Sequence, residues 1–333
     1  MFITNAWYVA AWSDEVGDVP LRRMICGSPV VLFRSGGEAV ALADACAHRQ
    51  YPLSGGQVID GRLRCGYHGF EYNGEGICTA VPGQDTVPAN TFVRRFPIVE
   101  QDGWVWIWPG DPERAQNQSP PDTHWLNDAE WDGVRFTHLY NCRASLLHDN
   151  LLDLTHEAFL HEASIGDDSV YTNGITVEAS ANTVVVDRFM PRCHPSQLYV
   201  TAMGVEPPMD RWHTTDFQLP SLHVIHCGVG TPGAPRPEGY HLEVLNAITP
   251  ATENTTWYFY ANYRDFAVSN SEINELMYNS LKQVLDEDAV ALEKQEQMIA
   301  GGHGAAHDRL IAQDAGVAKA RRLLRQLLDA ESS

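Results

Sequence analysis

Cys46-Ala-His48, followed after a gap by Cys65-Gly-Tyr-His68, puts four metal-ligating side chains into two tight pairs, a C-x-H…C-x-x-H pattern. A chain carrying it has to bring two short loops to one point. A [2Fe–2S] cluster with two Cys on one iron and two His on the other needs this ligand set, and the His ligands raise its potential above that of an all-Cys cluster. Such a potential suits an electron relay in an oxygen-using enzyme. The competing reading is a Cys2His2 zinc site, also tetrahedral, but zinc fingers usually pair Cys with Cys and His with His. Here each pair mixes the two. Pro52, Gly55 and Gly56 follow the first pair, and Gly66 and Gly69 flank the second, as two ligand loops require.

The 333 residues are enough for about two domains. Hydrophobic residues make up 44 %, sufficient for a substantial core. Against 43 acidic residues stand 23 basic ones, a formal charge of -20, which argues against nucleic acid and anionic membrane as partners. Seven Cys are present; Cys26, Cys78, Cys142, Cys193 and Cys227 are scattered, so buried reduced thiols are expected rather than a disulfide framework. The N-terminus lacks a basic segment ahead of an apolar one, and no apolar run approaches membrane-spanning length. A cytoplasmic location is the expectation.

Residues 1 to about 110 are predicted to be β. Val30-Val-Leu-Phe33 and Ala39-Val-Ala-Leu42 are apolar runs split by Ser35-Gly-Gly37, and Gly103-Trp-Val-Trp-Ile-Trp-Pro109 predicts a core strand whose three Trp are packing. Residues 110–122, polar and Pro-rich, are expected to be the linker. Beyond it, residues 146–160 have helical spacing, strand-like runs occupy about 170–262, and 271–299 is the longest helical pattern, opening on a Ser-x-x-Asn cap-like signal. A shorter helix is predicted over 315–328.

Asn150-Leu-Leu-Asp153-Leu-Thr-His156-Glu-Ala-Phe-Leu-His161 is a second constellation. Two His and a carboxylate suit a 2-His-1-carboxylate triad, which holds Fe(II) by one face and leaves positions open for O2. His156 and His161 lie roughly 140° apart on an ideal helix, so they share a metal only if the helix bends or ends near Phe159. A His pair near a helix end is also a common cap or surface feature. For the third ligand the long helix offers Asp286, Glu287, Asp288, Glu293 and Glu296. Its apolar stripe runs through Met277, Leu281, Leu285, Leu292 and Ile299. Asp288 falls near the stripe's middle; Glu296 is at its edge; Asp286, Glu287 and Glu293 point well away. A carboxylate on a buried face is expensive unless paired or metal-bound, which selects Asp288 with Glu296 second. Pairing of Asp288 with a buried base such as Arg143 is the alternative.

Together these residues resemble a Rieske non-haem iron oxygenase, across essentially the whole chain. More narrowly the resemblance is to the oxygenase components of vanillate O-demethylases, with dicamba O-demethylases and toluenesulfonate methyl-monooxygenases close by. It is carried by Asn5-Ala-Trp-Tyr-Val-Ala, Cys65-Gly-Tyr-His-Gly, Asp149-Asn-Leu-Leu-Asp-Leu-Thr-His-Glu, Ala163-Ser-Ile-Gly, Asp210-Arg-Trp, Ile248-Thr-Pro and Asp314-Ala-Gly-Val. The first cluster loop departs in reading Cys-Ala-His-Arg-Gln where relatives often have Cys-Pro-His-Arg and then a small residue; the ligands are untouched.

The resemblance implies an α+β fold: an N-terminal all-β Rieske domain, placed at 1–115, and a catalytic domain, at 123–333, with a curved antiparallel sheet around a long C-terminal helix. It implies that Cys46, His48, Cys65 and His68 hold the cluster and that His156, His161 and Asp288 hold mononuclear Fe(II). Asp153 would bridge the centres, hydrogen-bonding His156 and, across a subunit interface, His68. Asn150 would lie beside the iron. The segment 220–246 would help line the pocket, with His223, His226 and Asn246 either fixing substrate or bonded within the sheet. A ferredoxin or flavin reductase would pass electrons from NAD(P)H, relatives commonly form head-to-tail trimers, and the reaction would be O-demethylation of a vanillate-like methoxy-aromatic acid to a phenol and formaldehyde. The rivals are hydroxylation or dihydroxylation of another aromatic acid or sulfonate, a plain Rieske electron carrier, and a zinc-stabilised binding module. Arg62, Arg64, Arg94 and Arg95 form either a basic rim for an acidic redox partner or ordinary solvated charges.

Overall fold

The apolar runs and Gly-rich turns of the first part form antiparallel ladders in the computed structural model, which describes residues 1–303 and 308–331. The chain divides into two compact units, Met1–Asp122 with Thr249–Thr252, and Thr123–Ile248 with Glu253–Ser333.

In the first unit the strands are β1 (Tyr8–Trp12), β2 (Leu21–Ile25), β3 (Ser28–Ser35), β4 (Glu38–Ala43), β5 (Gln57–Ile59), β6 (Arg62–Arg64), β7 (Glu71–Tyr72), β8 (Cys78–Ala80), β9 (Ile98–Gln101) and β10 (Trp104–Ile107). They form three antiparallel sheets, ordered β1-β10-β9, β2-β3-β4 and β5-β6-β7-β8. The expected core strand is β10, and Trp104, Trp106 and Trp108 are fully buried, as packing residues should be. Val31, Phe33, Val40 and Leu42 share a core with Leu53, Leu63, Tyr72, Cys46 and Cys65, so the ligand loops are seated on the sheets' apolar faces. The Pro-rich stretch carries a one-turn helix, α1 (Pro112–Ala115), whose Asp111 side chain accepts from Glu113 N–H at 3.0 Å. The short return Thr249–Thr252 is held by Cys26 and Gly27 N–H groups donating to the Pro250 and Ala251 carbonyls.

The second unit is built on one seven-stranded antiparallel sheet: β11 (Asp132–Tyr140), β12 (Ile175–Ala179), β13 (Thr183–Cys193), β14 (Met209–Gln218), β15 (Leu222–Gly230), β16 (Tyr240–Thr252) and β17 (Thr255–Arg264), in the order β11-β17-β16-β15-β14-β13-β12. Its helices are α2 (Ala144–Leu152), α3 (Glu157–Leu160), α4 (Ser169–Thr172), α5 (Gln197–Met203), α6 (Ser271–Ala300) and α7 (Ala315–Glu331). Met277, Leu281, Val284, Leu285 and Leu292 of α6 share a core with Phe136, Tyr140, Ile225, Val244, Tyr258 and Tyr260 of the sheet. The Tyr140 hydroxyl donates to the Leu285 carbonyl at 2.7 Å, fixing α6 one turn before Asp288. The cap of α6 is Asn270, not Ser271: its Oδ1 accepts from the Glu272 and Ile273 N–H groups. The expected α+β class, an all-β part followed by a sheet carrying a long helix, is the class observed. All seven Cys are buried and none forms a disulfide. Among the described residues no helix is long and apolar enough to cross a membrane.

Candidate metal centres

The two Cys-His loops of the first unit are similar turns. Gln50 N–H returns to the Cys46 carbonyl at 2.8 Å, and Gly69 N–H to the Cys65 carbonyl at 3.1 Å. Gly69 has φ +73°, the left-handed conformation that closes its turn without strain. The loops approach backbone to backbone: a Cβ on Gly56 would collide with the Arg64 carbonyl, and one on Gly66 with the Gly55 carbonyl. Cys46 and Cys65 are buried at the base, whereas His48 and His68 are exposed, their ring centroids 4.6 Å apart. His48 stacks on Phe70, and the Tyr72 hydroxyl lies 3.2 Å from Cys46 Sγ and accepts from Ala47 N–H. Two convergent thiols below and two imidazoles above fit a [2Fe–2S] cluster with mixed ligation.

The basic rim is not a free patch. Arg62 and Arg64 both reach Glu71, Arg95 pairs with Glu75, and Arg94 donates to the Pro109 carbonyl.

In the second unit the helical pattern of 146–160 is interrupted. Helix α2 stops at Leu152, Asp153 is extended (φ −111°, ψ 95°), a short turn follows, and α3 is a single turn between His156 and His161. Two imidazoles that one straight helix would splay apart therefore converge. A ring nitrogen from each of His156 and His161 and an Asp288 carboxylate oxygen lie within 4.8 Å of one another. His161 Nε2 is 3.3 Å and His156 Nε2 3.8 Å from Asp288 Oδ1.

Each imidazole is fixed from behind. His156 Nδ1 donates to the Asp153 carbonyl at 2.8 Å, and His161 Nδ1 to Glu287 Oε2 at 2.7 Å. Both Nε2 lone pairs then face the same point, and His161 Nε2 is buried without a hydrogen-bond partner, the arrangement a cation would complete. Burial lowers the His161 pKa, but Asp288 and Glu287 outweigh it and raise it, so the site's field favours positive charge. The donor set fits Fe(II) in a 2-His-1-carboxylate site.

Asp153, Glu287 and Glu296 sit otherwise than expected, while Asn150 lies beside the His156–Asp288 pair as expected. Asp153 does contact His156, but through its main chain; its Oδ1 accepts from Thr155 N–H at 3.1 Å because the residue caps the turn. Asn150 Nδ2 lies 3.1 Å from Asp288 Oδ1 and 3.3 Å from His156 Nε2. Glu296 is not part of the His156–His161–Asp288 cluster, since it accepts from Arg143 N, Nε and NH2. That pairing also removes Arg143 as a partner for Asp288. Glu287, read as pointing away from the stripe, reaches His161; its side chain extends from the stripe's flank.

A cavity adjoins the triad, with apolar walls including Leu154, Ile165, Ile225 and Val284, and polar groups including Asn246 and Asn262. Asn246 lies on the wall yet is bonded within the sheet, donating to the His223 and Val244 carbonyls and accepting from Tyr258 OH at 2.6 Å. His223 does not reach the cavity. It is fully buried, stacked on Phe217 at 3.8 Å, with its Nε2 2.9 Å from His148 Nδ1. Burial pushes His148 down to about 3 and His223 well below its ordinary value, so the pair is neutral packing. His226 is paired with Glu243.

Comparison with known proteins agrees with this geometry. Residues 6–97 match the Rieske [2Fe-2S] domain and residues 140–330 the vanillate O-demethylase oxygenase C-terminal domain. A vanillate O-demethylase oxygenase subunit of a Pseudomonas species is 34 % identical over 99 % of this chain and 96 % of its own length. The toluene-4-sulfonate monooxygenase system iron-sulfur subunit of Comamonas testosteroni is 33 % identical over all of this chain and 99 % of its own. The crystal structure of dicamba monooxygenase bound to dicamba superposes with a TM-score of 0.94 at 31 % identity, covering 99 % of both chains.

Proposed function

Because the chain belongs to the Rieske non-haem iron oxygenases, as an oxygenase component with a [2Fe–2S] cluster and a non-haem iron, we propose that it O-demethylates a methoxy-aromatic acid of the vanillate type. Cys46, His48, Cys65 and His68 are the proposed cluster ligands, and His156, His161 and Asp288 the proposed iron ligands. The observation that carries the reading is the convergence of two Nε2 atoms and a carboxylate oxygen beside a largely apolar cavity. When bound, the cluster and the iron supply one-electron relay and O2 activation. The chain's own residues orient and exclude. Glu287 and the Asp153 carbonyl hold the imidazoles as Nδ1–H tautomers. Leu154, Ile225 and Val284 offer an aromatic ring a dry wall.

The overall reaction takes a methyl aryl ether, O2, NAD(P)H and a proton to a phenol, formaldehyde, water and NAD(P)+. One oxygen atom enters the methyl C–H bond, and the resulting hemiacetal breaks its O–CH2 bond to release formaldehyde; the other leaves as water. A reductase or ferredoxin is the proposed electron donor. A head-to-tail homotrimer is the proposed assembly, with Asp153 linking the two centres: its carbonyl holds His156 of its own subunit and its carboxylate is proposed to reach His68 of the next. The test is aerobic turnover of vanillate with a generic reductase and NADH. One formaldehyde per NADH supports the proposal; NADH loss with peroxide and no formaldehyde refutes the substrate.

One observation favours a second reading of the substrate: among the described residues, those lining the cavity include no Lys or Arg. A buried carboxylate without a counter-charge is costly, and a neutral methoxyphenol needs none. Turnover of 2-methoxyphenol above that of vanillate selects this reading.

A further inference from the structure

Arg211 is fully buried within the sheet, near the start of β14, paired in register with Met190 of β13 and Val229 of β15. It belongs to the triplet Asp210-Arg-Trp, in which Asp210 accepts from the Arg192 and Gly233 N–H groups. The Arg211 guanidinium makes two ion pairs. NH2 lies 3.1 Å from Glu157 Oε2 and NH1 3.4 Å from Asp167 Oδ2, and the head sits 5.4 Å from the centre of the Tyr199 ring.

Those carboxylates flank the metal-site imidazoles. Glu157 follows His156 on the single turn of α3, and Asp167 follows the loop that leaves His161. The loop folds back tightly: Ser164, Ile165 and Gly166 all donate N–H to the His161 carbonyl, at 2.9, 3.1 and 2.8 Å. Residues 156–167 are thus a compact hook, bonded at both ends to one planar cation. A short turn has little stability of its own, so its position depends on what it is anchored to. Arg211 is the shared anchor, and its fork reaches two carboxylates where an ammonium would have to choose.

We propose that Arg211 is a positioning residue for the mononuclear site, setting the separation of His156 and His161 through Glu157 and Asp167 without touching metal or substrate. Burial disfavours charge on Arg211, but Glu157, Tyr199 and Asp167 more than offset it. The neighbouring His213, 3.7 Å from Glu157 Oε1, is kept neutral by its burial and then by Arg211 and Arg188, so it does not compete for Glu157 as a cation. The inference rests on His156, His161 and Asp288 being the iron ligands.

The test uses holoprotein, read by iron, acid-labile sulfide and the apparent Fe(II) dissociation constant from graded chelator. Wild-type protein should hold about three irons per two sulfides; two per two would overturn the ligand reading itself, and the proposal with it. In R211M the third iron should be held roughly 10- to 100-fold more weakly, with the cluster's visible spectrum and sulfide unchanged. R211K, which keeps the charge and loses the fork, should fall between. The ferrous–nitrosyl EPR signal of the residual iron should broaden as the imidazoles lose a single geometry. Wild-type Fe(II) affinity in folded R211M overturns the proposal. So does a parallel loss of cluster and mononuclear iron, which would mark a general fold defect. If R211M does not fold, E157Q and D167N each break one arm of the fork. Weakened iron with an intact cluster in either supports the proposal, and wild-type affinity in both overturns it.

Discussion

At the scale of single residues, what decides the second unit's chemistry is which nitrogen of each imidazole is occupied. Glu287 occupies His161 Nδ1 at 2.7 Å, and such an outer carboxylate both orients an imidazole and raises its basicity. E287Q should therefore weaken Fe(II) retention by about 10- to 100-fold while leaving the cluster's absorption intact; chelator titration checks it, and unchanged affinity would mean that Glu287 is only a surface partner. Glu287 was not legible as such a residue. The apolar stripe marks the buried carboxylates, and the two it marks, Asp288 and Glu296, are both buried. It is silent about a flanking side chain long enough to curl inward. Asp153 is a related case. The motif singles it out, but not that its carbonyl, rather than its carboxylate, holds His156. Its Oδ1 caps Thr155; the proposed link to the next subunit falls to the other oxygen. D153N should keep both metals and lose most turnover, and full turnover in that variant would sink the link.

At the scale of elements, the sequence pattern gives the right helices and the wrong continuity. Leu147, Leu151, Leu154 and Ala158 are all buried at helical spacing, so apolar periodicity runs unbroken through a segment whose backbone is not one helix. The requirement that His156 and His161 share a metal, which no straight helix meets, points to the segment between them, where α3 ends at Leu160; the break at Asp153 lies upstream of both and leaves no mark in the apolar pattern. The Arg143–Glu296 pair joins the N-terminus of α2 to α6, the Glu296 carboxylate accepting from Arg143 N, Nε and NH2. Hydrogen bonding to Arg143 holds Glu296 below its ordinary value despite its burial. A depressed folded-state pKa gives stability that is fully present above the unfolded value of about 4.3 and lost as pH falls through the folded one. E296Q should thus cost about 1 kcal/mol at pH 7, a figure discounted for the exposure of Arg143. The difference from wild type should shrink toward zero under acid, while mononuclear iron stays bound. Denaturant midpoints at pH 7 and in acid check the stability, and loss of iron in E296Q would restore Glu296 as a ligand candidate.

At the scale of the whole molecule, each proposed metal centre draws its ligands from a single unit, the cluster's four from the first and the iron's three from the second. The two should therefore be separable by mutation: C65S should lose colour and sulfide and keep one iron, and H161A should keep the cluster and lose the third iron. This separability tests the proposed inter-subunit electron path directly. Neither variant alone should release formaldehyde. If the electron path runs from one subunit's cluster to the next subunit's iron, oligomers mixed from equal parts of the two variants contain working pairs wherever an H161A subunit precedes a C65S subunit. In a closed head-to-tail ring assembled at random, that occurs at about a quarter of the interfaces, so co-expressed variants should recover about a quarter of wild-type turnover. If electrons stay within a subunit, every chain in the mixture lacks one centre or the other, and recovery should be nil. A null result, with both variants shown to retain the other metal, would therefore leave the metal sites standing and remove the inter-subunit path.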